Sequence, residues 1–327
     1  MKAVSYKQHG EPWDVVAVED LPEPTPLPCL VVVAFEAAPI HFGYFLGMRA
    51  DMPFFPLPPG VGGFEGVGRI SACGSDVTDW QVGTRVFLPI GYGAWQERRA
   101  VAADQLVAAP DDVAAEQLAL VPINLATAYL LLHAYDALAP GDWVIQNAAN
   151  SNVGGYVDLL ASKAGINAIH VVRRPELVAD LKAKGRAHVL LDGPDLKAQV
   201  DALAPDPPKL AIDAIGGAAT TRLGACVANH GLVLSYGILS KEPPALAYPD
   251  LVFRDVRLRG VLTNFAMERL DTAGLATMRQ GLDETVASGQ LDAQIAGIYP
   301  FSQAADALRH AARTGADRQG KVILVPA

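Results

Sequence analysis

Between Trp143 and Leu262, short apolar runs alternate with stretches of helical spacing, and this alternation constrains the fold more than any other feature of the chain. Trp143–Gln146, Ala168–Val172, His188–Leu191, Leu210–Ala214, Leu232–Tyr236 and Arg257–Leu262 read as strands. Val153–Ala164, Pro175–Lys184 and Ala218–Ala228 read as helices. The first is closed by Gly165; the second starts on proline and stops before Gly185. Strands alternating with helices of about ten residues predict a parallel sheet with right-handed crossovers.

The flanking regions have another texture. From Met1 to about Pro110, Gly and Pro separate short β-branched runs such as Leu30–Phe35 and Arg85–Leu88, which predicts an irregular, mostly β region. The proline-rich Pro22–Pro28 reads as a surface connection. Ala114–Leu138 is helical in spacing but interrupted near Pro122. A long helical stretch, Met267–Ser288, precedes a strand, a helix and a last strand, Lys321–Val325. At 327 residues the chain exceeds one ordinary core. We therefore expect an α/β protein of two domains. Residues 1–120, completed by 265–327, would form a mostly-β domain, and 121–264 a Rossmann-type parallel-sheet domain.

Composition narrows the partners. The formal charge is −9 and no Lys/Arg run occurs, which argues against nucleic acid or an anionic membrane as main partner. Cys29, Cys73 and Cys226 are too scattered for a disulfide framework or a zinc ribbon. The N-terminus lacks an apolar signal stretch, and the most apolar window, Leu118–Leu138, is broken by Pro122, Asn124 and His133. These features predict a cytoplasmic protein acting on a small-molecule substrate.

The cofactor signal lies in the turn Asn147-Ala-Ala-Asn-Ser-Asn-Val-Gly154, which follows a strand and opens a helix. Free N–H groups and the helix dipole favour a pyrophosphate there. As a glycine fingerprint it is weak, since only Gly154 holds a glycine position, and a plain strand–helix turn is an equal reading. The end of the second strand shifts the balance. Where NAD-binding chains place a carboxylate on the ribose hydroxyls, this chain has Arg173 and Arg174, which suit the 2′-phosphate of NADP(H).

With these pieces placed, the chain resembles the medium-chain dehydrogenase/reductase superfamily over nearly its whole length. The segments that carry the resemblance are Gly62-Gly-Phe-Glu-Gly66, Val82-Gly-Thr-Arg-Val86, Gly93-Ala-Trp-Gln96, Asn124-Leu-Ala-Thr-Ala-Tyr129, Ser235-Tyr-Gly237 and Gly320-Lys-Val-Ile-Leu324. Gln146–Gly154 and Phe253–Gly260 are most similar to mitochondrial-type trans-2-enoyl thioester reductases, with quinone oxidoreductases as close cousins. The resemblance implies a GroES-like catalytic domain with a Rossmann NADP-binding domain inserted before its last segment. It places Asn124 near the nicotinamide or ribose. Asn150, Ser151, Asn152 and Val153, with Gly154, would line the pyrophosphate, and Arg173 with Arg174 the 2′-phosphate. Tyr236, Gly237, Ile238 and Leu239, together with Val261, Leu262, Thr263 and Asn264, would flank the nicotinamide half. Lys321 matches a cofactor lysine, while Asn152 replaces the family's usual glycine. A homodimer joined through the Arg257–Leu262 edge is also implied.

Zinc-dependent members carry a GHE triplet where this chain has Gly63-Phe64-Glu65. Phenylalanine cannot ligate a metal, and His41 and Cys73 remain as scattered residues, so no zinc is expected. Hydride from NADPH then needs an electron-poor acceptor, a C=C bond conjugated to a carbonyl or a quinone. Reduction of an enoyl thioester leaves an enolate that needs a proton. The position of the family's tyrosine donor falls on Arg49; Tyr44 and Tyr92 are the nearby phenols. Catalytic roles are therefore assigned to Tyr44 and Arg49. Met48–Pro59 reads as a pocket lip or a stiff surface loop, and Arg49, Arg98 and Arg99 are the cations available for a coenzyme A phosphate. Three functions compete: reduction of an enoyl thioester or enone, quinone reduction, and NADPH binding without catalysis.

Overall fold

A computed structural model describes residues 1–50, 60–91 and 93–326. The chain divides into two compact units, Met1–Ile123 with Asp283–Ala327, and Asn124–Leu282.

The second unit holds a six-stranded, wholly parallel sheet. Its strands, in spatial order, are His188–Leu191, Asn167–Val172, Trp143–Gln146, Leu210–Asp213, Leu232–Ser235 and Arg257–Gly260. In chain order this is 3-2-1-4-5-6, the doubly wound arrangement, and its direction of growth reverses between Trp143–Gln146 and Leu210–Asp213. Val144, Ile145, Ile212 and Val233 are fully buried, as a sheet covered on both faces requires. Adjacent residues of one strand serve opposite cores. Val171 packs with Leu196, Val200 and Leu223, while Val172 packs with Leu177 and Leu181. The helices Leu196–Leu203 and Gly217–Cys226 thus cover one face, and Pro175–Ala183 the other.

Two features of this unit differ from the sequence expectation. Leu196–Leu203 is a helix that the alternation did not announce; only Leu196 and Val200 are buried, a narrow stripe in a polar segment. The long stretch Met267–Ser288 holds one helix, Thr272–Ala287, which starts later than expected because a separate short helix, Thr263–Met267, ends at Met267. At the break, Asp271 accepts the Gly274 N–H at 2.7 Å and so starts a fresh helix.

The first unit is mostly β. A seven-stranded sheet runs Ile295–Pro300, Lys321–Val325, Leu30–Pro39, Val67–Cys73, Arg85–Phe87, Val107–Ala108, with Arg98–Ala102 also pairing to Leu30–Pro39. A second sheet joins Val16–Asp20, Lys2–Tyr6 and Gly60–Val61. The central strand reaches four residues beyond the apolar run Leu30–Phe35, through Glu36 to Pro39. The Glu36 carboxylate survives there because Arg69 (2.9 Å) and Arg85 (2.6 Å) neutralise it. The C-terminal strand docks antiparallel on the same strand, with Leu324 opposite Ala38 and Ile323 opposite Pro39. This register brings Lys321 beside the residues that follow Pro39.

Candidate active site

In the parallel-sheet unit, the turn after Trp143–Gln146 opens onto the switch point. Gln146 and Asn147 are buried, and the Asn147 amide donates to Asp213 Oδ1 (2.5 Å) while its oxygen accepts the Ala214 N–H (2.8 Å). This clamp ties together the C-terminal ends of the two strands that border the crevice. Ala148 takes a positive φ of 47°. Ser151 caps the helix Asn152–Lys163 by accepting the Gly154 N–H at 3.1 Å. A Cβ on Gly154 would lie 2.8 Å from the Ala149 carbonyl oxygen, so glycine is required for the close approach. Asn150 is exposed at the tip, and Asn152 and Val153 are the first two helical residues.

The turn is braced by residues that the sequence did not single out. Arg186 donates to the Ala149 carbonyl (2.5 Å) and pairs with Asp158 (3.2 Å). Asp158 also meets His170 Nε2 at 2.9 Å; His170 Nδ1 contacts the Gln146 amide at 3.0 Å, and that amide donates to the Gly154 carbonyl at 2.9 Å. Burial works to raise the Asp158 pKa, but His170 and Arg186 hold it below the usual aspartate value.

Arg173 and Arg174 stand at the end of the second strand. Arg173 is exposed, while Arg174 precedes the helix Pro175–Ala183 with its guanidinium 3.5 Å from Glu176. The Tyr236 hydroxyl is hydrogen-bonded with Ser151, and burial pushes its pKa well up. Gly237 allows the chain to pass Ala214, whose carbonyl oxygen would stand 2.8 Å from an added Cβ. Ile238 is partly buried and Leu239 exposed. Val261 is buried and Leu262 exposed; Thr263 bonds Thr127 (2.7 Å), and Asn264 is exposed. Asn124 lies in a widened helical turn, Val121–Leu125, that follows from Pro122's missing N–H. Its amide nitrogen is buried with no hydrogen-bond partner among the described residues, which leaves a donor available for a ligand's carbonyl or hydroxyl. The glycine-tight turn, the clamped crevice and this amide fit a dinucleotide.

In the mostly-β unit, Tyr44 is 3% exposed, its ring stacked on Phe64 (4.2 Å between centroids) and tilted against Trp95 (4.5 Å). Arg49 is held in a fork by Glu11, with Nε at 3.0 Å and Nη2 at 2.8 Å from its oxygens. Arg98 donates to both oxygens of Glu23, and Arg99 is partly buried. Tyr92 and residues 51–59 of the anticipated lip lie outside the described residues.

A third group of ionisable residues gathers where the C-terminal strand meets the central one. His41 Nε2 is 2.5 Å from Glu65 Oε1, Lys321 Nζ is 3.1 Å from His41 Nδ1, and Glu65 Oε2 accepts the Ile123 N–H at 2.6 Å. Glu65 has no solvent exposure. Burial raises its pKa well above the usual value, lowers that of His41 well below its own, and brings Lys321 down to about 8. Sequence reasoning treated His41 as a stray residue and Lys321 as a cofactor contact only. Among the described residues no group of three or more His, Cys, Asp or Glu could hold a metal ion.

A family model for the alcohol dehydrogenase GroES-like domain matches residues 29–111. The mitochondrial enoyl-(acyl-carrier-protein) reductase of Homo sapiens is 34% identical over 267 residues, which cover 80% of this chain and 72% of that one. Among solved structures, a complex of Etr1p with NADP and crotonyl-CoA aligns with a TM-score of 0.87 over 99% of both chains at 24% identity. The quinone oxidoreductase of Pseudomonas syringae pv. Tomato aligns with a TM-score of 0.83 over 99% of both chains at 27% identity. The cytoplasmic location expected from the sequence does not stand against these findings, because the curated relatives are mitochondrial enzymes.

Proposed function

Since this chain belongs to the enoyl-(acyl-carrier-protein) reductase family of the medium-chain dehydrogenase/reductase superfamily, and is an oxidoreductase, we propose that it reduces the C=C bond of a 2-enoyl thioester with NADPH. The observation that carries this reading is the glycine-tight turn at the switch point of a 3-2-1-4-5-6 sheet, followed by Arg173 and Arg174 at the next strand end. The parallel-sheet unit is the cofactor domain, and the mostly-β unit is the catalytic domain. Asn150, Ser151, Asn152, Val153 and Gly154 hold the pyrophosphate; Arg173 and Arg174 hold the 2′-phosphate. Asn124, Tyr236–Leu239 and Val261–Asn264 surround the nicotinamide half. Lys321 also belongs to the site. NADPH, when bound, supplies the hydride.

The chain's own groups then have two tasks, to stabilise the enolate oxygen with hydrogen-bond donors and to deliver a proton to the α-carbon. No zinc takes part in this reading, and the enzyme acts as a homodimer. Quinone reduction is the second reading. It is favoured by the likeness to the Pseudomonas enzyme and by the packing of Tyr44 and Arg49 against other residues, since a quinone needs little acid catalysis. NADPH oxidation at 340 nm with trans-2-hexenoyl-CoA, beside a 1,4-naphthoquinone control, separates them. Thioester-dependent turnover is expected, and turnover with the quinone alone would overturn the thioester assignment.

A further inference from the structure

Reduction of an enoyl thioester needs a proton donor, and the two positions nearest the family's tyrosine are poorly placed to act as one. Arg49 has a guanidinium that does not release protons at ordinary pH, and Glu11 engages two of its nitrogens. The Tyr44 ring is sealed between Phe64 and Trp95. The same unit carries another ionisable cluster, formed by His41, Glu65 and Lys321.

The Ile123 N–H can only donate, so it fixes Glu65 Oε2 as an acceptor. With Glu65 as carboxylate, Oε1 accepts from His41 Nε2–H, and the imidazole then presents Nδ1 as an acceptor. Lys321 Nζ stands 3.1 Å from that nitrogen. An ammonium has three N–H donors. One is directed to His41, and among the described residues no other hydrogen-bond acceptor engages Lys321. The lysine is partly exposed and the His41 side chain is 12% exposed, so the outer end of this chain is open while Glu65 at the inner end is closed.

We propose that Lys321 is the catalytic proton donor of the reduction, with His41 and Glu65 as positioning residues that hold it as an ammonium aimed outward. This rests on the enoyl thioester reading above. Hydride from NADPH forms the C–H bond at the β-carbon and leaves an enolate. The enolate's C=C electron pair then takes a proton from the Lys321 ammonium: a C–H bond forms at the α-carbon, an N–H bond breaks, and a neutral amine remains, which solvent reprotonates. Burial places Lys321 at about 8, in the range a general acid needs near neutral pH. The charged and titratable groups around it are His41 and Glu65, which face it, Tyr44 beside His41, and Arg318, whose charge also lowers it.

The test compares wild type, Lys321→Arg and His41→Asn with trans-2-hexenoyl-CoA in H2O and D2O. The arginine keeps the charge but does not release a proton. For wild type, kcat/KM should fall above about pH 8 as the ammonium is lost, and the product made in D2O should carry one α-deuterium in a single configuration. At saturating NADPH, Lys321→Arg should lose about 10²–10⁴-fold in kcat and give both α-configurations. His41→Asn should move the basic limb of the pH profile. A Lys321→Arg enzyme with wild-type kcat and one configuration would overturn the proposal, as would a loss confined to NADPH affinity. Should Lys321→Arg fail to fold, an unmoved limb in His41→Asn would do the same. Wild type inactive on the thioester would instead defeat the functional reading itself, before any variant is compared.

Discussion

On the proposed reading, the preference between nicotinamide cofactors rests on single residues. Arg173 ends the second strand with its side chain exposed, whereas Arg174 already shares its charge with Glu176 at 3.5 Å. A hydrogen bond to a charged group is worth about 1.5–3 kcal/mol. Arg173→Ala should therefore raise the Kd for NADPH by about 10–100-fold and leave NADH binding unchanged, with Arg174→Ala having the smaller effect. Fluorescence titration with both cofactors checks this, and equal weakening of the two would show that the arginines support the fold rather than the phosphate. The place of these two residues was legible from sequence because they directly follow an obvious strand. The Lys321–His41–Glu65 cluster was not. Its members are 280 and 24 residues apart along the chain, and they meet through the pairing of the C-terminal strand and of Val67–Cys73 with Leu30–Pro39.

At the scale of elements, the dinucleotide turn is stiffened from behind by the Arg186, Asp158, His170 and Gln146 network. Alternation of strands and helices was enough to derive the parallel sheet and to find the turn. The bracing was hidden, because Arg186 reads as one more surface cation after Gly185 and becomes a partner of Ala149 only when the sheet closes. Arg186→Met should free the Ala149 carbonyl and leave Asp158 with His170 alone. We expect a lower Tm and a Kd for NADPH raised about 10-fold, measured by thermal melts and titration, from loss of one charge-assisted hydrogen bond. The pH dependence follows from Asp158. Its folded pKa is depressed, so its contribution to stability is complete above the ordinary aspartate value and disappears as pH falls through the lowered one. In Arg186→Met the depression shrinks, so the gap in Tm between variant and wild type should be widest near neutral pH and narrow in acid. A gap that does not change between neutral and acid would assign Arg186 to packing.

On the scale of the whole molecule, the parallel sheet ends at Arg257–Gly260, a strand that pairs, among the described residues, with Leu232–Ser235 alone. An open strand edge invites pairing with another chain. The helix just before it, Tyr248–Phe253, exposes an apolar face: Tyr248 is 67%, Leu251 52%, Val252 48% and Phe253 76% exposed. Contiguous apolar surface of this kind beside a free edge marks an interface. The edge is cationic, but Arg259 folds over the Tyr135 ring at 5.0 Å and Arg257 donates to the His230 carbonyl, so these charges are drawn aside. A twofold axis would pair two such edges antiparallel and cover both helices with one symmetric contact, extending six strands to a continuous sheet across the dimer. Light scattering of wild type at micromolar concentration should give the mass of two chains. The double substitution Val252→Asp and Phe253→Asp places like charges on both sides of the contact and should yield monomers that keep their NADPH affinity, because the dinucleotide turn lies after the first strand, four positions along the sheet from this edge counting both ends. A wild type that scatters as a monomer would leave the exposed face of Tyr248–Phe253 to a different partner and remove the homodimer.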